Sequence, residues 1–272
     1  MIRGFSAHLN TLYAHLEEQD RFAAAAQDGF RCVEIWAPPE PDSWSRTIGD
    51  IEQLGLSLAT INTNTGTSPE DFGLVGDAAY SDIWRDEFLA TLAFARRAKS
   101  RCINVLVGGR RQSATRPAQS RCLTDNLDWA LQRLEADDPV LLLEPLNGAD
   151  RRSPILRTAD EALSVIAELG SPPQLRLLFD AYHLFQEEDD AMKALRSAAG
   201  MIGHVQLADH PGRGEPGTGD LPISEFLTEL ERTDYDGWIG LEYFPSGHEE
   251  GPFAWLREFA ELDGRFPPVV AS

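Results

Sequence analysis

The chain has 272 residues, 42% hydrophobic and 25% charged, with a formal net charge of −20 and a pI near 4.6. Length and mixed composition suit one large α/β domain over residues 1–272, with 266–272 as a short tail. The acidic balance repels phosphate backbones and anionic lipid, so neither nucleic acid nor a membrane surface is an expected partner. Cys32, Cys102 and Cys122 are odd in number and form no CxxC pair, which fits reduced thiols rather than a disulfide framework. No basic leader and no apolar run of spanning length is seen, so the expected location is cytoplasmic.

Apolar runs alternate with amphipathic segments along the whole chain, the pattern of βα units. Strands are expected at 2–8 (IRGFSAH), 32–36 (CVEIW), 56–62 (LSLATIN), 102–107 (CINVLV), 140–144 (VLLLE), 175–180 (LRLLFD), 201–207 (MIGHVQL) and 238–242 (WIGLE). Helices are expected at 17–28, 46–54, 81–99, 119–136, 158–169, 189–199, 222–232 and 251–262, several opened by Asp, Ser or Thr and closed by Gly. Eight such units in this length predict a closed (β/α)8 barrel, a TIM barrel, with its site at the C-terminal strand ends. A doubly wound open sheet is the rival, but no strand runs into a GxGxxG turn or a phosphate-binding loop.

The later strands end in Glu144 ("LLLEPLN"), Asp180 ("LLFDAYH"), Gln206 ("GHVQLAD") and Glu242 ("IGLEY"). All four are oxygen donors that follow residues expected to be buried, where an unpartnered carboxylate is costly; a cation removes that cost. Three carboxylates and one amide make a hard set suited to Mg²⁺ or Mn²⁺. Singly, each could be a carboxylate paired with an arginine or capping the next helix. Substrate contacts are expected from His183, three residues past Asp180, and from Arg213 in a loop rich in glycine and proline. His8, Glu34, Trp36 and Asn62 close the earlier strands and supply the other half of the mouth.

The segments "AAQDGFRCVEIWAP", "LLLEPLN", "LLFDAYH", "GHVQLADHPGRGEPGTGD" and "DYDGWIGLEYFP" occur in order over nearly the whole chain. In them the sequence resembles the hydroxypyruvate isomerase group of the xylose isomerase-like barrel superfamily. The most specific segment is the one around Gln206, where the superfamily's sugar epimerases usually have histidine. The resemblance implies a divalent metal held by Glu144, Asp180, Gln206 and Glu242, with Glu144 and Glu242 also the acid/base pair. Two positions depart from the group: His8 stands where asparagine is usual, and Asn62–Gly66 where NLPAG is usual, so the exact substrate stays open.

The expected activity is an aldose-ketose type isomerisation of a small hydroxy-oxo acid, hydroxypyruvate to tartronate semialdehyde, by proton transfer through a cis-enediolate, a step of carbohydrate metabolism. Alternatives on the same scaffold are a 2-oxo-tetronate isomerase or a ketose 3-epimerase; outside enzymes, a non-catalytic barrel that binds an acid-sugar. Schiff-base aldolase chemistry needs a lysine at the site, and the two lysines, Lys99 and Lys193, fall on expected helices. An abasic-site endonuclease shares the superfamily, but the charge and six scattered histidines oppose it. The expected partner is a small hydroxy-oxo acid or sugar-derived substrate, and association into a homo-oligomer is left open.

Overall fold

The apolar runs form eight parallel strands: β1 (Gly4–His8), β2 (Cys32–Ile35), β3 (Ser57–Asn62), β4 (Cys102–Val105), β5 (Val140–Leu143), β6 (Leu175–Asp180), β7 (Ile202–Leu207) and β8 (Trp238–Leu241). Each pairs with the next, and β8 returns to β1 through Gly4–Trp238 to Ala7–Leu241, so the sheet closes on itself. The fold is a (β/α)8 barrel, as the alternation predicts. The computed structural model describes residues 2–63, 66, 72–247 and 253–256. The expected tail and most of the expected helix at 251–262 lie outside them.

The helices are α1 (Leu9–Leu12), α2 (Arg21–Gln27), α3 (Trp44–Gln53), α4 (Ser81–Ala98), α5 (Arg116–Leu131), α6 (Ala159–Glu168), α7 (Ala181–Glu187), α8 (Ala191–Ser197) and α9 (Ile223–Glu231). Helix α4 shows why they cover the barrel. Trp84, Phe88, Thr91, Leu92 and Ala95 recur at helical spacing and are buried, a single apolar stripe turned to the sheet. The helix stops at Lys99, whose left-handed backbone (φ 53°) sends its N–H back to Ala95 and Arg96. Helix α5 starts earlier than its periodicity suggests because Thr115 caps it, accepting from the Ala118 N–H at 3.3 Å. No helix among the described residues is long and apolar enough to cross a membrane.

Alternation along the strands divides the buried residues between two environments. Phe5, Ala7, Val33, Ile35, Val205 and Leu207 join the main core between sheet and helices. Inside the barrel only Cys102, Leu142 and Leu178 form a separate apolar cluster. Above it the interior is polar: Ser6, Glu34, Thr60 and His204, then His8, Asn104, Asp180 and Gln206, are all buried. A barrel whose interior is furnished this way presents chemistry at its C-terminal mouth.

Candidate active site and metal centre

Asp180 ends β6 and caps α7 with the same side chain. Its Oδ1 accepts from the Tyr182 N–H at 2.9 Å, leaving Oδ2 directed at Arg213 Nη2 (3.4 Å) and His183 Nε2 (3.6 Å). Glu144, the residue after β5, accepts at Oε2 from Asn104 Nδ2 (2.6 Å), and its Oε1 lies 3.9 Å from His183 Nε2. Glu242, the residue after β8, accepts at Oε1 from Trp36 Nε1 and Arg213 Nη2, both at 3.1 Å, with His8 Nε2 at 3.8 Å. Gln206 lies beside Asp180 in the β6–β7 ladder. Its Nε2 donates to Glu34 Oε2 at 2.9 Å, while its Oε1 is buried with no hydrogen-bond partner among the described residues.

Electrostatics make this mouth unusual. Burial, reinforced by Asp180 and Glu242, pushes the Glu144 carboxyl up to about 8; burial outweighs Arg213 at Asp180 and raises it to about 7. Burial lowers both His8 and His183, so both rings are neutral near pH 7. With all three ionised, Glu144, Asp180 and Glu242 outweigh the Arg213 guanidinium by a formal charge of −2, which a divalent cation would balance. The orphan Gln206 oxygen and the crowded carboxylates are the features a bound cation would satisfy.

Glu144, Asp180 and His183 can bring one ligand atom each within 4.8 Å of one another, a candidate metal-binding triad. The histidine's tautomer decides its part. The Asn147 backbone N–H donates to His183 Nδ1 at 3.2 Å, so in the neutral ring the proton sits on Nε2. That nitrogen faces Asp180 and Glu144 as a donor, suited to a substrate oxygen, and the other candidate ligand atoms at the mouth are oxygens.

The other expected residues occupy distinct places. His8 packs against Trp36 (centroids 5.6 Å apart), and its Nδ1 is buried without a partner among the described residues. Trp36 is 39% exposed at the rim. Asn62 is half-buried opposite Asn104; of the segment after it, residues 64–65 lie outside those described. Glu34, read as a substrate contact, is instead enclosed in the barrel with Ser6, His204 and Gln206 on its two oxygens. Lys99 and Lys193 lie at the end of α4 and within α8, away from the mouth.

Arg213 is placed by its loop. Asp209, fully buried, accepts from the backbone N–H groups of His210, Gly217, Gly219 and Leu221 at 2.7–3.0 Å. A Cβ at Gly219 would stand 2.2 Å from the His210 carbonyl oxygen, so only glycine lets the turn close. Phe244 N–H bonds to the Arg213 carbonyl, and Glu215 accepts from both N and Oγ of Ser246, tying the loop to the segment after β8. Arg213 does not pair with the neighbouring Glu215 at the surface but turns inward over the Tyr182 ring (5.1 Å).

Sequence reasoning missed Asn104, Asn147, Ser6 and His204. Asn104 and His204 carried a signal, since each is a polar residue in phase with the inward face of its strand. Ser6, two residues before His8 on β1, shares that inward phase, whereas Asn147 lies beyond the end of β5, where no strand period marks it.

Residues 22–261 match the family model for the xylose isomerase-like TIM barrel. The chain belongs to that family. Within it, the chain is 32% identical over 260 residues to a hydroxypyruvate isomerase of Escherichia coli, covering 93% of this chain and 97% of the relative. It is equally 32% identical over 257 residues to a 2-oxo-tetronate isomerase of Cupriavidus necator, covering 94% and 98%. Among solved structures, one titled AP endonuclease, family 2, from Brucella melitensis superposes with a TM-score of 0.88 at 25% identity, covering 95% of this chain and 99% of that one. The family read from the strand-end motifs is therefore the one found, and the relatives this chain matches over almost their whole length are isomerases.

Proposed function

We propose that the protein is a metal-dependent isomerase of a small hydroxy-oxo acid, acting on hydroxypyruvate to give tartronate semialdehyde. The observation that carries this reading is the convergence of Glu144, Asp180 and Glu242 around Arg213 beside an unpartnered Gln206 oxygen. Glu144, Asp180, Gln206 and Glu242 would hold the ion, and their all-oxygen character favours Mg²⁺ or Mn²⁺. When bound, such an ion polarises a carbonyl and so acidifies the neighbouring C–H.

The chain's own groups then divide the work. Glu144 and Glu242, carried by β5 and β8, move the proton between adjacent carbons through a cis-enediolate. Asn104 fixes one oxygen of Glu144, and the Trp36 indole N–H fixes one of Glu242. His183 Nε2–H donates to a developing oxyanion. Arg213, the cation at the mouth, grips the substrate carboxylate.

The 2-oxo-tetronate isomerase relative, at the same identity, supports a second reading in which a longer hydroxy-oxo acid is the substrate. The net charge of −20 supports a small-molecule substrate over DNA. Replacing Glu144 or Glu242 by Gln keeps size and removes proton transfer, so each variant is expected to lose at least about 100-fold in kcat. Retained turnover in both variants with metal bound would remove the assignment.

A further inference from the structure

Glu34 is fully buried inside the barrel, and the reaction proposed above has no step for it. Its Oε1 accepts from Ser6 Oγ at 2.5 Å and from His204 Nε2 at 2.8 Å; its Oε2 accepts from Gln206 Nε2 at 2.9 Å. Strands β1 and β7 thus direct three donors at one carboxylate. The backbone makes room for it. Gly240 lies opposite Ser6 in one ladder and opposite Gln206 in the other, and a Cβ there would stand 2.2 Å from Glu34 Oε1. On β2 itself the register against β3 shifts between Val33 and Glu34, the kind of irregularity that re-aims a side chain.

The consequence falls on Gln206. A side-chain amide has a donor end and an acceptor end of nearly the same shape, so packing distinguishes its two orientations weakly and hydrogen-bond polarity distinguishes them strongly. With the NH2 held by Glu34 Oε2, the Gln206 oxygen is turned away from Glu34, where it is buried without a partner among the described residues. We infer that Glu34 is a positioning residue of the metal centre: seated by Ser6 and His204, it fixes the Gln206 amide so that oxygen, and not NH2, is presented to the cation. A flipped amide would aim two positive hydrogens at the ion. The inference rests on the reading of Gln206 as a ligand.

The test is Mn²⁺ binding, followed by the electron paramagnetic resonance of the free ion and by calorimetry, on the full chain and two variants. In Glu34→Gln the new amide satisfies Ser6 and His204 with its oxygen and offers NH2 to Gln206, which must turn over. Affinity is expected to fall about 10- to 100-fold with an unchanged circular dichroism spectrum. In the exchanged pair Glu34→Gln with Gln206→Glu, the carboxylate at 206 accepts from the amide at 34 and keeps an oxygen for the ion, so affinity returns to the parental range. A loss caused only by loosened packing would not be repaired by a second substitution. Parental protein that binds no Mn²⁺ counts against the metal centre itself. Parental protein that binds while Glu34→Gln binds as tightly, or while the exchanged pair stays as weak as Glu34→Gln, overturns the role of Glu34 alone. Should Glu34→Gln not fold, the exchanged pair decides: weak binding by a natively folded pair overturns the inference.

Discussion

Glu144 and Asp180 each hold a proton through a pH range where an unfolded carboxylate has lost it, because burial among like charges penalises the ionised form. Between about pH 4 and 8 these two groups therefore hold more protons in the folded chain than in the unfolded one, and their contribution to stability falls as pH rises across that window. A divalent cation needs the ionised forms, so its binding releases protons and strengthens with pH. We predict that Mn²⁺ raises the melting temperature more at pH 8 than at pH 5.5, and that calorimetry in buffers of different ionisation heat detects proton release. Equal stabilisation at both pH values would mean that the carboxylates are not the ligands. At this scale the sequence was legible wherever a polar residue ended an apolar strand, as at Glu144, Asp180, Gln206 and Glu242. It was illegible where a partner's identity decides the role: Glu34 reads as a mouth residue in "VEIW", and only Ser6, His204 and Gln206, far away in the chain, show that it points inward.

Among the elements, the loop after β7 is organised by one carboxylate. Removing the Asp209 side chain orphans four backbone N–H groups, at about 1–3 kcal/mol for each that stays buried. Asp209→Ala is expected to cost at least about 2 kcal/mol in urea denaturation. By displacing Arg213 it should also raise KM for hydroxypyruvate, as Arg213→Ala does directly; unchanged KM in both would place the carboxylate grip elsewhere. The glycine and proline content announced a shaped loop, but not the residue at its centre. Helix α7 escaped sequence reading for a related reason. It follows β6 without a turn, Asp180 serving both elements, and its buried residues Ala181, Tyr182, His183 and Leu184 are consecutive, so no amphipathic period marks it. The expected helix at 189–199 is α8 (Ala191–Ser197), the second of two helices between β6 and β7.

For the molecule as a whole, closure of the barrel is what brings distant sequence together: Glu242 meets Trp36 across 206 positions and Gln206 meets Glu34 across 172. Eight strand-length runs alternating with helix-length periods made the architecture readable, because each βα unit is a local pattern and parallel closure follows from their number. The interior was less readable, since inward and outward residues of a strand buried on both faces share no simple apolar-polar alternation. A net charge of −20 repels an anionic substrate, so on the proposed function the burden of capture falls on Arg213 and on the cation that its carboxylate neighbours would hold. On the proposed function, this mouth moves a carbon-bound proton with the help of a metal. Proton magnetic resonance of hydroxypyruvate in D2O, with the protein and Mg²⁺ or Mn²⁺ and again after chelation, tests it directly. We expect isomerisation with deuterium entering at carbon, abolished by the chelator and restored by the ion; absence of both exchange and isomerisation with metal bound, for hydroxypyruvate and for 2-oxo-tetronate alike, would rule out the proposed reaction.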